Sequence, residues 1–561
     1  MQRREWYAFL GVLLFGALLL FPGLGGTPLI DWDENIYAEA SRQMVVSGNY
    51  LNVRLNNHPF AEKPPLFFWM QSLSYHLWGI NEFAARFPSA ISGMLLGSLC
   101  FFVGRRLHSL QLGVTWATVY LSSLLPGIFA RSAVIDHTFN LFIATATFSL
   151  YFYDLAYKKY LEHQSSSDSS FRSKYRFWLT LATVAMGVAV LTKGPLGGVI
   201  PLLGFASYKF AYRTPKISIP HFFFCGIVSL SIATSWYWVN WILYGSQFLE
   251  NFIRFQMNLF SKPLEGHSGP FYYHWVVVLF GVFPWTFFLA FLFRKPFQSS
   301  NPHLRPLLFI GTAWCFFVLI LFSWVNTKLP HYSASVYIPL SLFIAWVLTQ
   351  VLEQKIILPS WLSWLHAAWG TLIAAGLMSF PVLAENYIRE NIPQQEGSIV
   401  LQWSTGIYWT AAAFLATFLI GSLLLRSRTA LAIGITAFSM IFLVQGLWRY
   451  QVPMIQGVIQ TPMLALVEEA KQKQHELVFY RYVSFAALFY GKQPIEMLYT
   501  DKFPGNPDIL KNTEGRKFSV ITEQKHQAAL EREFPALFLV KQSGNFLRYE
   551  TPDPTTPKEK Q

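Results

Sequence analysis

Charge is what this sequence has least of. Only 13% of its 561 residues are Asp, Glu, Lys or Arg, against about 25% in an ordinary soluble domain. Cysteine is nearly absent too. Cys100, Cys225 and Cys315 all sit inside apolar runs, which excludes a disulfide framework or a zinc site and leaves the redox compartment unread. A cleavage site is also missing. The start, MQRREWYAFLGVLLFGALLLF, has the basic residues and apolar run of a signal peptide, but no small-x-small motif follows. It reads as a retained first helix. What replaces charge is hydrophobic residue, 53% of the chain, with aromatics at 17%. Repeated apolar runs at that density indicate an α-helical integral membrane protein.

A span needs about 20 apolar residues, and on that ruler the chain holds about thirteen. They fall near 6–24, 84–103, 112–130, 134–155, 176–193, 195–211, 220–243, 272–293, 305–323, 332–351, 360–382, 405–424 and 429–448. With the N-terminus in the cytoplasm, the inner connections are GRRLHS, YKKYLEHQSSSDSSFRSKYR, YKFAYRTPK, FRKPF…HLRP, EQK and RSR. All but EQK are clearly basic, the positive-inside pattern. The net charge of +13 therefore has a source other than nucleic-acid binding. An odd number of spans puts the C-terminus outside. Near 450 the composition shifts: MLALVEEAKQKQ has helical periodicity, while ELVFYRYV, FSVIT and ALFLVKQ…NFLRYE read as strands. The expected organisation is a transmembrane domain over 1–449 and a small extracytoplasmic α/β domain over 450–561, ending in the disordered tail TPDPTTPKEKQ.

The outer loops hold the unusual chemistry. LIDWDENIYAEASRQM, directly after the first span, carries Asp31, Asp33, Glu34 and Glu39. Ile36, Tyr37, Ala40, Met44 and Val45 recur near helical spacing, which fits a short amphipathic helix on the membrane surface. A second interfacial helix is expected after EKPP, whose prolines suit a first turn. Ordinary roles cover each acid singly. Asp31 can N-cap the helix, with Glu34 completing a capping box. Glu39 can be a solvated helix face, and Glu62 and Lys63 a surface ion pair worth about 0–1 kcal/mol. Together they leave a surplus. Asp33 and Lys63 flank one interface, and other outer segments add Arg131, Asp136, Lys193, Glu250, Arg254, Lys262, His267, Lys328, His331 and Tyr332. Asp136 and Lys193 stand at span ends, where ionisable groups are functional by default. A mostly cationic set with a few carboxylates suits an anionic, lipid-borne ligand, with one carboxylate left to act as base.

DWDENIYAEASRQM…EKPPLFFW, VIDHTFNLF, LTKGPLGGVIP, ENFIRF…GPFYYHWVVVLFGVFPW and SWVNTKLPHYSASVYIPLSL follow one another in family order. They resemble the bacterial aminoarabinose transferases of lipid A and the related dolichyl-phosphate-mannose-type mannosyltransferases, which are polytopic GT-C glycosyltransferases. The resemblance covers nearly all of the membrane half, and SFAALFYGKQPIEML extends it loosely into the tail domain. It implies transfer of a sugar from a polyprenyl-phosphate carrier to a lipid, glycan or protein acceptor, at the outer face of the cytoplasmic membrane. By the same resemblance Asp33 is the catalytic Asp and Asp136 the second-loop Asp. Lys63, with Glu62 beside it, contacts the donor phosphate. Tyr37, Lys193 and Arg254 match further family positions, and Lys328 stands next in line as a phosphate contact. Two positions depart from the family pattern: Ile36 stands where an Arg is common and Asn251 where a His is common. Both departures weaken the case for an aminoarabinose donor and for a metal. His58, His267 and His331 show no zinc spacing. No cofactor is assigned, and a divalent metal stays open but not favoured.

The expected chemistry follows from a donor that already carries a good leaving group. Lys63 and Arg254 hold the phosphate and stabilise its departing charge. Asp33 deprotonates the acceptor; direct attack would invert the anomeric centre, and a covalent Asp–sugar intermediate stays open. A flippase or exporter of lipid-linked sugars is the competing reading. It would need neither a large acidic outer loop nor an outer C-terminal domain, and it would more commonly show internal repeats, of which the sequence has none.

Overall fold

The computed structural model describes residues 2–163, 169–214, 218–261, 267–293, 301–391, 403–500, 503, 505–511, 513 and 515–552. The Ser-rich segment around Ser167, Lys262 and the residues from 553 lie outside the described residues.

Helices dominate as far as residue 472. They are α1 (Arg3–Leu20), α2 (Asp33–Ser47), α3 (Leu66–Trp78), α4 (Glu82–Leu107), α5 (Leu110–Leu121), α6 (Leu124–Arg131), α7 (Asp136–Glu162), α8 (Ser169–Lys193), α9 (Leu196–Tyr212), α10 (Ile219–Tyr244) and α11 (Gln247–Ser261). After them come α12 (Tyr273–Gly281), α13 (Leu304–Trp324), α14 (Tyr337–Leu352), α15 (Ser360–Asn391), α16 (Gly406–Leu424), α17 (Thr429–Gly446), α18 (Val452–Ile459) and α19 (Thr461–Gln472). Each of the thirteen apolar stretches overlaps helix. By length and composition, however, eight helices among the described residues can cross a membrane, or nine if the 65° bent pair α5–α6 counts as one span. The shortfall has physical causes. α1 opens with Arg3, Arg4 and Glu5, α7 carries charges at both ends, and α9 is only 17 residues long.

Local chemistry sets the boundaries. Asn81 starts α4 by accepting from the Ala84 N–H at 2.9 Å. Gly48, at φ +68°, stops α2 in the left-handed conformation. α4 and α5 pack backbone to backbone, because a Cβ on Gly104 would come within 2.9 Å of the Gly113 Cα. Small residues at helix contacts allow such an approach where no hydrophobic effect draws helices together.

The C-terminal region is α/β, as its patterning indicates. β3 (Glu476–Tyr480), β4 (Ile495–Leu498), β5 (Phe518–Glu523), β6 (Phe538–Ser543) and β7 (Phe546–Glu550) form one sheet, ordered β4-β3-β5-β7-β6. The first three strands are parallel and the last two antiparallel. α20 (Phe485–Gly491) links β3 to β4, and the short α21 (Asp508–Lys511) and α22 (Gln527–Glu533) follow. A two-residue hairpin, β1 (Arg54–Leu55) and β2 (His58–Pro59), lies in the first loop. Its turn residues Asn56 and Asn57 have φ +52° and +62°, the paired left-handed geometry that Asn tolerates best after Gly.

One expectation fails here. α2 is not laid on the bilayer. Residues 34–42 are buried without a break, because α3, the hairpin and the α/β region enclose the helix. The α/β region packs directly against the first loop. One hydrophobic cluster joins Ile36, Tyr37, Met44, Leu55 and Phe68 of the first loop to Met463, Leu466, Phe485 and Ile495. A helical run from Thr429 to Ile459 also passes straight through residue 450.

Candidate active site

Asp33 is the first residue of α2, and its surroundings are built by the residues on either side. Glu34 is buried. It takes two hydrogen bonds from Arg86, at 2.9 Å each, one from the Ala133 N–H at 2.5 Å and one from the Ile30 N–H at 2.8 Å. Arg86 is wholly buried and donates its remaining hydrogens to the carbonyls of Leu24, Thr27 and Pro28 and to the Thr27 hydroxyl. A buried bidentate pair with its other donors satisfied fixes geometry strongly. It ties the start of α2 to the segment entering α7, three residues before Asp136.

Asp31 does not cap α2. Its Oδ1 accepts from the Phe485 and Ala486 N–H groups at 3.0 and 2.9 Å, and its Oδ2 from the Ser484 hydroxyl at 2.7 Å. Asp31 thus satisfies the first turn of α20, which the sequence could not foretell across 450 residues. Burial pushes its carboxyl above the ordinary range, against the pull of those hydrogen bonds. The residue at the N-cap of α2 is Trp32, which makes no side-chain cap bond and has φ +78° and ψ −122°. For a bulky residue that backbone is an outlier and costs about 1–3 kcal/mol. Glu39 is not solvated either. It is 1% exposed and holds Arg42 through both oxygens at 2.6 and 2.7 Å.

The ionisable residues of distant segments converge beside Asp33. The Asp33 Oδ2 lies 3.5 Å from the His331 Nε2. Asp136, first residue of α7, pairs with Lys193, last residue of α8, at 2.5 Å. The Lys193 ammonium also lies 5.3 Å from the Tyr332 ring centre and 5.7 Å from that of Phe139, within cation–π range. Lys63, Asp136, Lys193 and Tyr332 line a cavity of about 90 Å³. Lys63 is buried rather than part of a surface pair, and its ammonium sits 4.9 Å from the Phe255 ring centre. Burial lowers its pKa first and the Lys193 charge adds to that, while Glu62, Asp33 and Asp136 oppose the shift. Tyr37 is buried against the edges of Phe67 and Phe68. Burial raises its hydroxyl pKa, and the charges of Asp33, Asp136 and Glu62 raise it further.

Pro195 lines this ionic cavity and two apolar clefts as well, one of about 960 Å³ between α7, α8, α9 and α10 and one of about 290 Å³ beside α11. A cationic chamber thereby adjoins a long apolar space, the arrangement an anion on a lipid tail requires.

Two expected phosphate contacts stand apart. Arg254 is exposed on α11 and does not line the cavity, whereas Gln256 of the same helix does. The Lys328 ammonium is committed to the carbonyls of Phe322, Ser323 and Val325 at 2.6–2.8 Å, where it satisfies the C-terminal turn of α13. Glu62 is half-buried beside Lys63. His331 and Tyr332, which the sequence places among the outer groups without a role, also stand in the site. Their signal was position: both follow LP at the outer start of a span. Among the described residues no three His, Cys, Asp or Glu side chains gather as metal ligands.

Known proteins share this frame. The family model for dolichyl-phosphate-mannose-protein mannosyltransferase matches residues 30–256. The undecaprenyl phosphate-alpha-4-amino-4-deoxy-L-arabinose arabinosyl transferase of Edwardsiella ictaluri is 27% identical over 61% of this chain and 58% of its own. An uncharacterised protein of Aquifex aeolicus is 28% identical over 59% of this chain and 61% of its own. The chain therefore spans about three-fifths of the length of these curated relatives. ArnT from Cupriavidus metallidurans, solved bound to undecaprenyl phosphate, superposes with a TM-score of 0.76 at 20% identity over 98% of both chains. The oligosaccharyltransferase of Archaeoglobus fulgidus superposes at 0.52 with 12% identity, over 99% of this chain and 75% of its own. The fold is thus the ArnT-like GT-C membrane fold, and the resemblance drawn from the motifs is supported by family, relatives and structure alike.

Proposed function

We propose that the protein is a glycosyltransferase that moves a sugar from a polyprenyl-phosphate carrier to a lipid, glycan or protein acceptor. The reaction takes place at the outer face of a bacterial cytoplasmic membrane. The observation that carries this reading is the junction at Pro195, where a chamber lined by Lys63, Lys193 and Asp136 meets apolar clefts. Relatives named for an undecaprenyl-phosphate sugar donor support it.

Lys63, helped by Lys193, takes the donor phosphate and stabilises the charge that develops as the sugar leaves. Asp33 takes the acceptor proton, with His331 beside it, and Asp136 holds Lys193 in place. The chain crosses the membrane about thirteen times, counting short and bent helices with the long ones. Its N-terminus is cytoplasmic. The region 1–449 is the catalytic membrane part, and 450–561 is extracytoplasmic.

The test is reconstitution in vesicles with a radiolabelled sugar-bearing polyprenyl phosphate and an acceptor extract from the cell envelope. Transfer of label to the acceptor, lost in Lys63→Ala, is the expected result. Movement of intact donor between leaflets without transfer would establish the flippase instead.

A further inference from the structure

Asp31 and Trp32 hand the catalytic loop over to the α/β region. Asp31 closes the first turn of α20 through both carboxylate oxygens. Its own N–H donates to Gln460 at 3.0 Å, and Gln460 donates to the Leu29 carbonyl at 2.9 Å. The Tyr490 hydroxyl accepts from the Leu29 N–H at 2.8 Å. The Trp32 ring meets the Phe485 ring edge-on at 5.3 Å. Five residues of the C-terminal half, Gln460, Ser484, Phe485, Ala486 and Tyr490, thus hold residues 29–32, and Asp33 is the next in the chain. Trp32 stands at φ +78°, a backbone that persists only where its neighbours over-determine it. Here Phe485 of α20 is one such neighbour, and Asp31, held by α20, accepts from the Trp32 N–H at 2.8 Å.

We propose that Asp31 is a positioning residue, and that through it the C-terminal α/β region sets the place of the catalytic carboxylate Asp33. This rests on the reading of Asp33 as the base. If the clasp lets go, Trp32 relaxes toward ordinary backbone and the start of α2 turns. A carboxylate misplaced by about 1 Å loses about a hundredfold in rate, because general-base catalysis depends on alignment. The donor contacts at Lys63 and Lys193 come from other segments and stay as they are.

The clasp can be separated from chemistry by four variants in the same transfer assay. Asp31→Ala leaves the Phe485 and Ala486 N–H groups without their acceptor. It is expected to lower kcat about 10- to 100-fold, with the KM for donor and the affinity for polyprenyl phosphate unchanged. Asp31→Asn can still accept from both N–H groups and donate to the Ser484 hydroxyl, so it should stay within a few-fold of wild type. Asp33→Asn should be inactive. Asn56→Ala removes a different contact between the halves, its two hydrogen bonds to Ile495 at 2.8 and 2.9 Å; it should loosen the α/β region without changing kcat. An Asp31→Asn variant as dead as Asp33→Asn would overturn the proposal, because the charge and not the clasp would then matter. Equal losses in Asn56→Ala and Asp31→Ala would overturn it too, since general docking would explain both. If wild type transfers sugar, Asp33→Asn does not, and Asp31→Ala behaves as wild type, the clasp fails and the glycosyltransferase reading stands. If Asp33→Asn matches wild type, the assignment of the base has failed instead.

Discussion

At the scale of single residues, the site is a set of charges whose burial decides what each can do. Asp33 is far less enclosed than Asp136, with about a third of its side chain exposed, so an acceptor hydroxyl can reach it. Asp136 is buried and already neutralised by Lys193. Asp33→Asn keeps the shape and removes the base, and a positioned base contributes about 10²–10⁴-fold. Transfer assays should show that loss with expression and donor binding near normal; a variant at wild-type rate would shift the role to Asp136. Lys63 gives a second expectation, with a pH signature. Only the protonated ammonium attracts phosphate, and burial lowers the Lys63 pKa below the usual lysine range. Donor affinity should therefore fall as pH rises through that lowered value, earlier than an ordinary lysine near 10.4 allows. Lys63→Arg stays charged and should remove the fall, while recovering only part of the affinity because its geometry differs. Lys63→Ala should cost roughly a hundredfold or more in use of the donor. Titrating donor binding against pH for the three proteins checks both the slope and the order.

At the scale of elements, the start of α2 and the start of α7 are held together by Glu34 and Arg86, neither of which touches the cavity. Arg86→Leu would leave the Glu34 carboxylate buried without its counter-ion, a loss of about 3–5 kcal/mol. Thermal unfolding in detergent should show a large drop for Arg86→Leu and a smaller one for the paired Glu34→Gln and Arg86→Met, which strands no charge. Equal drops would mean that the packing of Arg86 beside Trp448 (5.1 Å to the ring centre) outweighs the ion pair. What the sequence revealed at this scale follows from range. Periodicity reads contacts within one element, so α19, β3 and β5 were legible from their own residues. β4 was not, because IEML is four residues long with a single polar residue inside. Asp31 was misread for the same reason. A capping box is a local pattern, and nothing within reach along the chain says that the carboxylate turns to a helix more than 450 residues away. Asp136 and Lys193, which the structure pairs, drew notice because charge at a span end is costly and therefore informative, whereas the roles proposed for Asp33 and Lys63 came from the resemblance. Arg254 and Lys328 satisfied the same criterion, but the first faces out from its helix and the second serves the end of α13.

At the scale of the whole molecule, the arrangement works only if every member of the site opens on one side of the membrane. The first loop, the α6–α7 junction, the α8–α9 junction and the segment before α14 meet at Asp33, Asp136, Lys193 and His331. Alternate connections of a helical membrane protein share one face, so these junctions are consistent with each other. The opposite ends carry their own ionic contacts, with Arg105 bidentate on Glu5 at 2.7 and 2.8 Å and Lys209 on Asp154 at 2.5 Å. Basic residues crowd those ends, and the positive-inside bias assigns them to the cytoplasm. On the proposed topology the α/β region lies outside as well, since it shares a hydrophobic cluster with the first loop. Single cysteines test the assignment directly. In a background with Cys100, Cys225 and Cys315 replaced, Asn57→Cys and Asn506→Cys should react with an impermeant thiol reagent added to intact cells. Ser167→Cys should react only after the membrane is opened. Labelling of Ser167→Cys from outside would invert the topology and put Lys63 and Asp33 on the cytoplasmic face, where a donor displayed at the outer surface could not reach them.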